Sequence, residues 1–173
     1  MLNYRVGTVN EKHWGFKPKW SCKADALSEN QASNPNGYLN VRTMYEARKT
    51  AQEAREMKRY NIQLLGLGEN RWLQSGQMRL ATGETLLYSG HTVVWAPHTE
   101  GVGLLLTPEA QHSLIGWEPV SSRIIWAKFN TNEKRIKLNT IQCCAPTNDA
   151  DEEKKDTFYQ QLQTIVDKAG KKM

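Results

Sequence analysis

The sequence predicts an α/β protein, and three observations lead to this prediction. The apolar run at 62–69 has the length and composition of one buried strand. An amphipathic stretch at 44–60 separates this run from an earlier strand-like run at 38–41, and a helix of that length suits a crossover between parallel strands. After Trp72 the chain changes to short strand-like segments separated by turn residues, and a second amphipathic helix follows them.

Residues 1–37 show neither helical nor alternating periodicity. They contain Trp14, Trp20 and the turn-like segment 33–37, so we expect a poorly ordered leader that ends in a turn. A short aromatic recognition tail is the alternative interpretation. Residues 38–173 then form the one domain that a chain of 173 residues suits.

The stretch at 44–60 carries one apolar stripe, which consists of Ala47, Ala51, Ala54 and Met57. Charged side chains occupy the other faces, as a solvated helix surface requires. The small alanines allow the helix to approach a sheet closely. We therefore interpret the stripe as core packing rather than as a binding face.

The middle of the chain contains strand-like segments that are bounded by turn residues. The segment 79–88 predicts a hairpin around Gly83, and the segment 101–107 predicts a buried strand. The segments 122–130 and 135–143 flank a polar turn and predict an antiparallel pair. These strands add an antiparallel part to the parallel pair that precedes them.

The last helix is predicted after a polar segment at 148–153, which supplies a cap and acids for the first turn. Its apolar stripe consists of Phe158, Leu162, Ile165 and Ala169. Gly170 and the lysines after it are expected to end the helix.

The formal net charge is +5, from 23 basic and 18 acidic residues. A mild positive field favours polyanions, and ordinary solvated surface is the alternative interpretation. The three cysteines, Cys22, Cys143 and Cys144, suit neither a disulfide framework nor a zinc site. The chain shows no signal-peptide pattern and no apolar run of membrane-spanning length. We therefore expect an intracellular protein of the nucleus or cytoplasm without a membrane partner.

Polar residues occur at comparable places in three predicted strands. Asn40 lies in the first strand, Glu69 ends the second, and the segment 144–148 follows a later one. Ligand crevices of open α/β sheets lie at the carboxyl ends of strands, so a carboxylate there is a candidate metal or proton-transfer group. A phosphodiester hydrolase needs a carboxylate to hold a divalent ion and a neutral amide to orient phosphate oxygens. Asn40 and Glu69 fit these two tasks, and an ordinary loop acid is the alternative interpretation of Glu69.

Six short motifs, in this order, resemble the exonuclease-endonuclease-phosphatase family. They are Leu39–Thr43, Gly66–Trp72, Tyr88–Gly90, Glu100–Leu104, Glu118–Ile125 and Ala145–Asp149. Within that family the chain resembles in particular the apurinic-type endonuclease of RTE-like non-LTR retrotransposons, which is usually fused to a reverse transcriptase. Similar domains also occur in host proteins called craniofacial development protein 2-like. The resemblance extends from about Tyr38 to Gln163.

The resemblance implies a sandwich of two β-sheets with helices outside. It also implies that Asn40 and Glu69 are catalytic: Asn40 helps to place the scissile phosphate, and Glu69 binds the cofactor Mg²⁺. Arg71 and Asn148 are candidate substrate contacts. The implied reaction is hydrolytic nicking of DNA, in which Mg²⁺ stabilises the developing charge.

The sequence departs from the family pattern at several positions. The active-site tyrosine of the family falls at Cys144, whose thiol cannot present a phenol oxygen at the same reach. Asn70 replaces the usual threonine, and Arg42 stands where some relatives have an acid. The later Asp-x-Asn and Ser-Asp-His segments, which supply water-activating groups and phosphate contacts, are absent. We therefore expect a C-terminally truncated domain that is inactive as this chain and associates through exposed core.

Two alternative functions also fit the sequence. One is a host-adopted domain that binds nucleic acid or protein without cutting, and the other is a phosphoesterase of the same family with a lipid or inositol phosphate substrate. Cys143 and Cys144 are interpreted as packing at a strand end. The histidines are scattered, and surface or turn roles are expected for His13, His91, His98 and His112.

Overall fold

The computed structural model describes residues 4–9, 36–40, 47–68, 73–91, 100–132 and 137–170, with side chains from Thr50 to Ala169 inside these ranges. The described ranges contain nine strands and three helices. In chain order they are β1 (Tyr4–Val9), β2 (Asn36–Asn40), α1 (Ala47–Arg59), β3 (Leu64–Gly68), β4 (Ser75–Arg79), β5 (Thr85–Ser89), β6 (Val102–Leu106), α2 (Pro108–Ser113), β7 (Leu114–Ser121), β8 (Ile124–Asn130), β9 (Lys137–Cys144) and α3 (Glu152–Gly170).

The described strands form two sheets. The five-stranded sheet has the order β2-β3-β6-β5-β4, and the four-stranded sheet has the order β1-β9-β8-β7. Neighbouring strands are antiparallel except β2 and β3, which run parallel and have α1 between them in the chain. A parallel pair needs a connection that returns the chain to the edge where the first strand began. The predicted strand–helix–strand crossover is therefore confirmed.

The two sheets pack face to face around a shared apolar core. Val102, Leu104 and Leu106 of β6 pack with Ile125 and Ala127 of β8 in one buried cluster. These residues are spaced by two along each strand, as expected for side chains that share one face. Burial of this layer joins the parallel and antiparallel parts of the chain into one sandwich.

Helix α1 covers the outer face of the five-stranded sheet. Ala54 and Met57, both almost fully buried, pack against Leu65, Leu67 and Leu105. The first two belong to the predicted stripe, so its assignment to core packing is confirmed. The small alanine lets the helix backbone lie close to the sheet, and charged side chains occupy the exposed positions.

Helix α3 covers the outer face of the four-stranded sheet. Phe158, Leu162 and Ile165 pack against Ile124 and Ile141. The described part of the molecule therefore has four layers, in the order helix, sheet, sheet, helix. The predicted class, an α/β protein with a β-sandwich and flanking helices, is confirmed at this level. None of the described helices has the length and apolar character needed to span a membrane.

The predicted hairpin around Gly83 joins β4 and β5. Gly83 has a φ of +103°, a left-handed conformation that glycine adopts without a side-chain clash. Beside it, the buried Glu84 lies 3.0 Å from the Lys58 ammonium of α1 and accepts a hydrogen bond from the Thr82 hydroxyl. Burial alone would raise the pKa of Glu84, but the bonds from Thr82 and Lys58 outweigh it and hold this pKa below its ordinary value.

Strand β1 lies within residues 1–37, where the sequence shows no strand pattern. It pairs antiparallel with β9, and Tyr4 lies opposite Cys144. Its partner is near the other end of the chain, so no local periodicity signals the pairing. The other residues before β2 lie outside the described ranges, and the poorly ordered leader stays a prediction there.

Two more elements, α2 and β7, are not predicted by the sequence patterns. Pro108 ends the predicted strand β6 and at the same time starts α2, where the Thr107 hydroxyl caps the Ala110 amide at 3.3 Å. β7 contains Pro119 and two register irregularities against β8. Proline and bulges of this kind are tolerated at a sheet edge, which is where β7 lies.

Candidate functional site

Terminal residues of four strands of the five-stranded sheet lie side by side at one end of the sandwich. Asn40, the last residue of β2, pairs with Gly68, the last residue of β3. Gly68 pairs with Val102 at the start of β6, and Val102 pairs with Ser89 at the end of β5. These four residues form a row at the carboxyl ends of the two parallel strands, where ligand crevices of α/β sheets occur. We call this the Asn40 end of the sandwich.

The four-stranded sheet meets the Asn40 end through polar contacts. The Ser89 hydroxyl donates a hydrogen bond of 2.6 Å to the carbonyl of Ser121, the last residue of β7. One layer deeper, the fully buried Gln142 side chain of β9 donates at 3.3 Å to the Leu67 carbonyl of β3. Both bonds cross between the sheets, so polar contacts as well as apolar packing set the sheet separation here.

Glu100 lies just before β6 and contacts three side chains. Its Oε1 accepts a hydrogen bond of 2.5 Å from Arg123 Nη2, and its Oε2 accepts one of 2.8 Å from the Ser122 hydroxyl. His91 Nε2 lies 3.5 Å from the same Oε2. We call these four residues the Glu100 cluster. Both carboxylate oxygens are engaged, which leaves Glu100 poorly suited to bind a ligand directly.

Arg123 extends the Glu100 cluster to the end of β9. Its Nη1 donates to the carbonyls of Cys144 and Ala145, at 3.2 and 3.3 Å, and lies 3.6 Å from the Cys144 sulfur. The Arg123 carbonyl in turn accepts a hydrogen bond of 2.9 Å from the Cys144 amide. The guanidinium therefore links the segment before β6 to the point where the chain leaves β9.

A cleft of about 620 Å³ opens beside the Glu100 cluster. The cluster and Ser121 form one wall, and the opposite wall belongs to the first half of α3. The α3 wall consists of Glu153, Lys154, Thr157, Phe158 and Gln161. Each wall carries both acidic and basic side chains, so the cleft suits a polar ligand better than an apolar one.

The predicted site residues differ in how much the structure shows of them. Only the backbone of Asn40 is described, while Glu69 and Arg71 lie outside the described residues. Asn148 is exposed, and its carbonyl accepts a hydrogen bond of 2.9 Å from the Lys155 ammonium of α3. The roles of Asn40 and Glu69 in catalysis, and of Arg71 and Asn148 in substrate contact, stay predictions.

The sequence patterns do not by themselves predict the Glu100 cluster. His91 was expected in a surface or turn role, but its ring lies against Glu100 and is about one-quarter exposed, at 23%. Glu100 and Arg123 lie inside two of the six motifs, which is the signal that could have found them. The expected packing role of the cysteines is confirmed, because Cys144 lies in the core between the sheets and Cys143 packs beneath α3.

No group of three or more His, Cys, Asp or Glu side chains in the described ranges could hold a metal ion. This finding does not extend to Glu69, which follows Gly68 and lies outside those ranges. A metal site at the Asn40 end therefore depends on Glu69 and stays a prediction.

The chain is similar to two curated proteins. It is 30% identical over 131 residues to craniofacial development protein 2 of Tragulus javanicus, which covers 76% of this chain and 22% of that protein. It is 29% identical over 131 residues to craniofacial development protein 2 of Bos taurus, with 76% and 21% covered. The chain thus spans about a fifth of the length of these relatives. No family model matches the chain, and no solved structure matches it.

Proposed function

We propose that the chain is a domain of the exonuclease-endonuclease-phosphatase type, related to the apurinic-type endonucleases of RTE-like retrotransposons. Such a domain is ancestrally a Mg²⁺-dependent hydrolase that nicks DNA. We further propose that this chain does not cut DNA by itself, because Cys144 stands where the family pattern has its active-site tyrosine.

The parallel pairing of Asn40 with Gly68 is the observation that carries this proposal. Neighbouring strands lie about 4.8 Å apart, so the pairing brings Asn40 beside the residue that precedes Glu69. The two predicted catalytic residues are separated by a whole helix in the sequence, and the fold makes their strands neighbours at the same level.

The donor chemistry of the Asn40 end fits Mg²⁺. This ion prefers oxygen ligands and is held through one or two carboxylates, while water and substrate phosphates complete its shell. Glu69 supplies a carboxylate in the segment that follows Gly68. Glu100 is engaged by Arg123 and Ser122, so we assign the metal to Glu69 rather than to the Glu100 cluster.

The proposed site would act on the substrate phosphate in two ways, by stabilising its negative charge and by orienting its oxygens. Mg²⁺, when bound, would stabilise the negative charge that develops on the phosphate. The Asn40 amide would orient a phosphate oxygen without adding negative charge that repels the substrate. Arg71 and Asn148 would contact the DNA backbone.

Cys144 supports the view that the chain alone is inactive. Its side chain is almost fully buried between the sheets, at 3% exposure, where the family pattern has an active-site tyrosine. A buried thiol donates only weakly and has no phenol oxygen to offer a substrate. The position therefore serves packing rather than chemistry.

A supercoiled-plasmid nicking assay with Mg²⁺, combined with anisotropy measurements on a labelled DNA duplex, tests this proposal. The variants are Glu69→Ala and, as a matched control, the exposed helix acid Asp156→Ala. We expect the intact chain not to nick the plasmid. We expect Mg²⁺ to strengthen DNA binding by the intact chain and by the control, but not by Glu69→Ala. Nicking that disappears in Glu69→Ala would show that the chain is active after all.

The DNA-binding measurement, together with a phosphate-release assay on an inositol phosphate, separates the alternatives. DNA binding that is equal with Mg²⁺ and with a chelator, and unchanged in Glu69→Ala, would favour a host-adopted binding domain. The formal charge of +5 is the observation that favours this second candidate. Release of phosphate from an inositol phosphate, without DNA binding, would favour the phosphoesterase alternative.

A further inference from the structure

We propose that Arg123 is a positioning residue, held by Glu100, that fixes the loop at 145–148 against the Asn40 end of the sandwich. The inference rests on the proposed function, because this loop carries Asn148, a candidate substrate contact. It concerns a pair of residues to which the resemblance assigns no role.

Two successive backbone carbonyls bind the guanidinium. Cys144 is the last residue of β9 and Ala145 is the first residue beyond it, and both carbonyls accept hydrogen bonds from Arg123 Nη1. A planar guanidinium with fixed donor directions restrains both peptide groups at once, which a flexible ammonium cannot do. Arg123 therefore sets the direction in which the chain leaves the strand.

Glu100 fixes the guanidinium from the other side. Its Oε1 binds Arg123 Nη2, while Ser122 and His91 occupy the space around Oε2. The carboxylate is thus restrained and cannot follow Arg123 into another rotamer. Because Glu100 lies two residues before Val102 of the row at the Asn40 end, the contact connects the loop to the level of Asn40 and Gly68.

The surroundings of Arg123 favour positioning over direct contact with a substrate phosphate. Its charge is balanced by Glu100, and its Nη1 donors are directed at carbonyls of its own chain. The side chain is only about one-fifth exposed, at 21%. A phosphate-binding arginine instead keeps its donor fork open to the ligand.

The far end of the loop has its own restraint. The Lys155 ammonium of α3 donates to the Asn148 carbonyl at 2.9 Å. Arg123 at the start and Lys155 at the end therefore hold the loop between β9 and α3. Loss of the Arg123 contacts should release the start of the loop while the sandwich stays folded.

Hydrogen exchange measured by mass spectrometry on the full chain tests the inference. The variants are Arg123→Lys, which keeps the charge, and Glu100→Gln, which keeps the shape of the side chain. The control is Lys168→Gln, which breaks a separate ion pair of 2.5 Å with Glu118. We expect the amides of residue 145 and of residues 147–150 to exchange about 10-fold faster in both test variants and at an unchanged rate in the control, since a hydrogen bond to a charged group contributes at about that level.

Two results would overturn the inference. One is unchanged exchange at 145–150 in Arg123→Lys and in Glu100→Gln. The other is faster exchange that spreads equally to β6, because it would mean a general loss of stability rather than a released loop. Glu100→Gln keeps the inference testable if Arg123→Lys does not fold.

The salt dependence of DNA binding distinguishes positioning from phosphate contact. We expect Arg123→Gln to weaken binding without changing the slope of log affinity against log salt, whereas a lost phosphate contact lowers that slope by about one. A lowered slope would overturn the positioning role. An absence of any DNA binding would instead count against the proposed function, and the exchange experiment would still decide the role of Arg123.

Discussion

Asn40 and Gly68 are backbone partners in the one parallel strand pair of the described sheets, and each is the last residue of its strand. Helix α1 joins the two strands and packs on the sheet through Ala54 and Met57. The apolar stripe of α1 thus has a consequence for the candidate site. It packs against Leu65 and Leu67 of β3, the strand whose last residue, Gly68, pairs with Asn40 and precedes Glu69 in the sequence.

The buried Gln142 gives a test of the contact between the sheets. Its Nε2 bonds the Leu67 carbonyl, but its Oε1 is buried without a hydrogen-bond partner among the described residues. We expect Gln142→Leu to change the free energy of unfolding by less than about 1 kcal/mol, because the lost bond and the removed unpaired oxygen offset each other. Gln142→Ala should cost about 2 kcal/mol or more, because it also leaves a cavity. Urea denaturation measures both, and a Leu variant that costs as much as the Ala variant would contradict the expectation.

Glu84 predicts a dependence of stability on pH. Its pKa is lowered in the folded state, so it contributes stability above its unfolded pKa and loses that contribution as the pH falls through the folded value. We expect the intact chain to be more stable than Glu84→Gln at pH 7, and the difference to shrink in acid. Urea midpoints of both proteins at several pH values check this. A difference that stays constant down to the lowest pH would refute the role assigned to Glu84.

Helix α3 contains two adjacent aromatic residues, of which one is buried and the other is exposed. Phe158 is buried against the four-stranded sheet, at 3% exposure, whereas Tyr159 is 51% exposed. We expect Phe158→Ala to destabilise the protein by about 3–5 kcal/mol and Tyr159→Ala by less than about 1 kcal/mol. Denaturation curves of the two variants provide the comparison. Equal losses would mean that α3 does not pack on the sheet as described.

Self-association through exposed core is a further prediction. The edge strands β4 and β7 share one side of the sandwich, where Trp117 Nε1 donates to Gln77 Oε1 at 3.2 Å. Met78 and Ile115 on these strands are exposed apolar side chains. We expect the chain to associate in light-scattering measurements and the double variant Met78→Lys, Ile115→Lys to shift toward monomer, since charges protect sheet edges. The exposed Tyr159→Lys is the control, and a monomeric intact chain would rule the prediction out.

Elements with strong local periodicity could be predicted from the sequence, and elements defined by distant partners could not. The stripe that contains Ala54 and the stripe that contains Phe158 predicted α1 and α3 because a helix shows its pattern within a few turns. β1 has no such local signal, because its pairing with β9 depends on residues near the other end of the chain.

The residues of the candidate site could likewise be predicted only in part from the sequence. Asn40 and Glu69 could be selected because each lies in or after a recognisable strand. The Glu100 cluster could be found only in part: two of the six motifs contain Glu100 and Arg123, but no spacing in the sequence indicates that these residues and His91 contact one another. Pairing of β5 with β6, and packing of β8 against β6 between the sheets, bring them together, and no local pattern encodes these contacts.

Paramagnetic line broadening by Mn²⁺, used as a probe for Mg²⁺, tests the central claim most directly. In amide spectra of the chain we expect the signals of Asn40 and Gly68 to broaden first, and this broadening to persist in Asp156→Ala and disappear in Glu69→Ala. The acidic start of α3, with Asp151, Glu152 and Glu153, serves as an internal comparison for non-specific binding. Broadening that begins at α3, or that is unchanged at Gly68 in Glu69→Ala, would contradict a metal site at the Asn40 end.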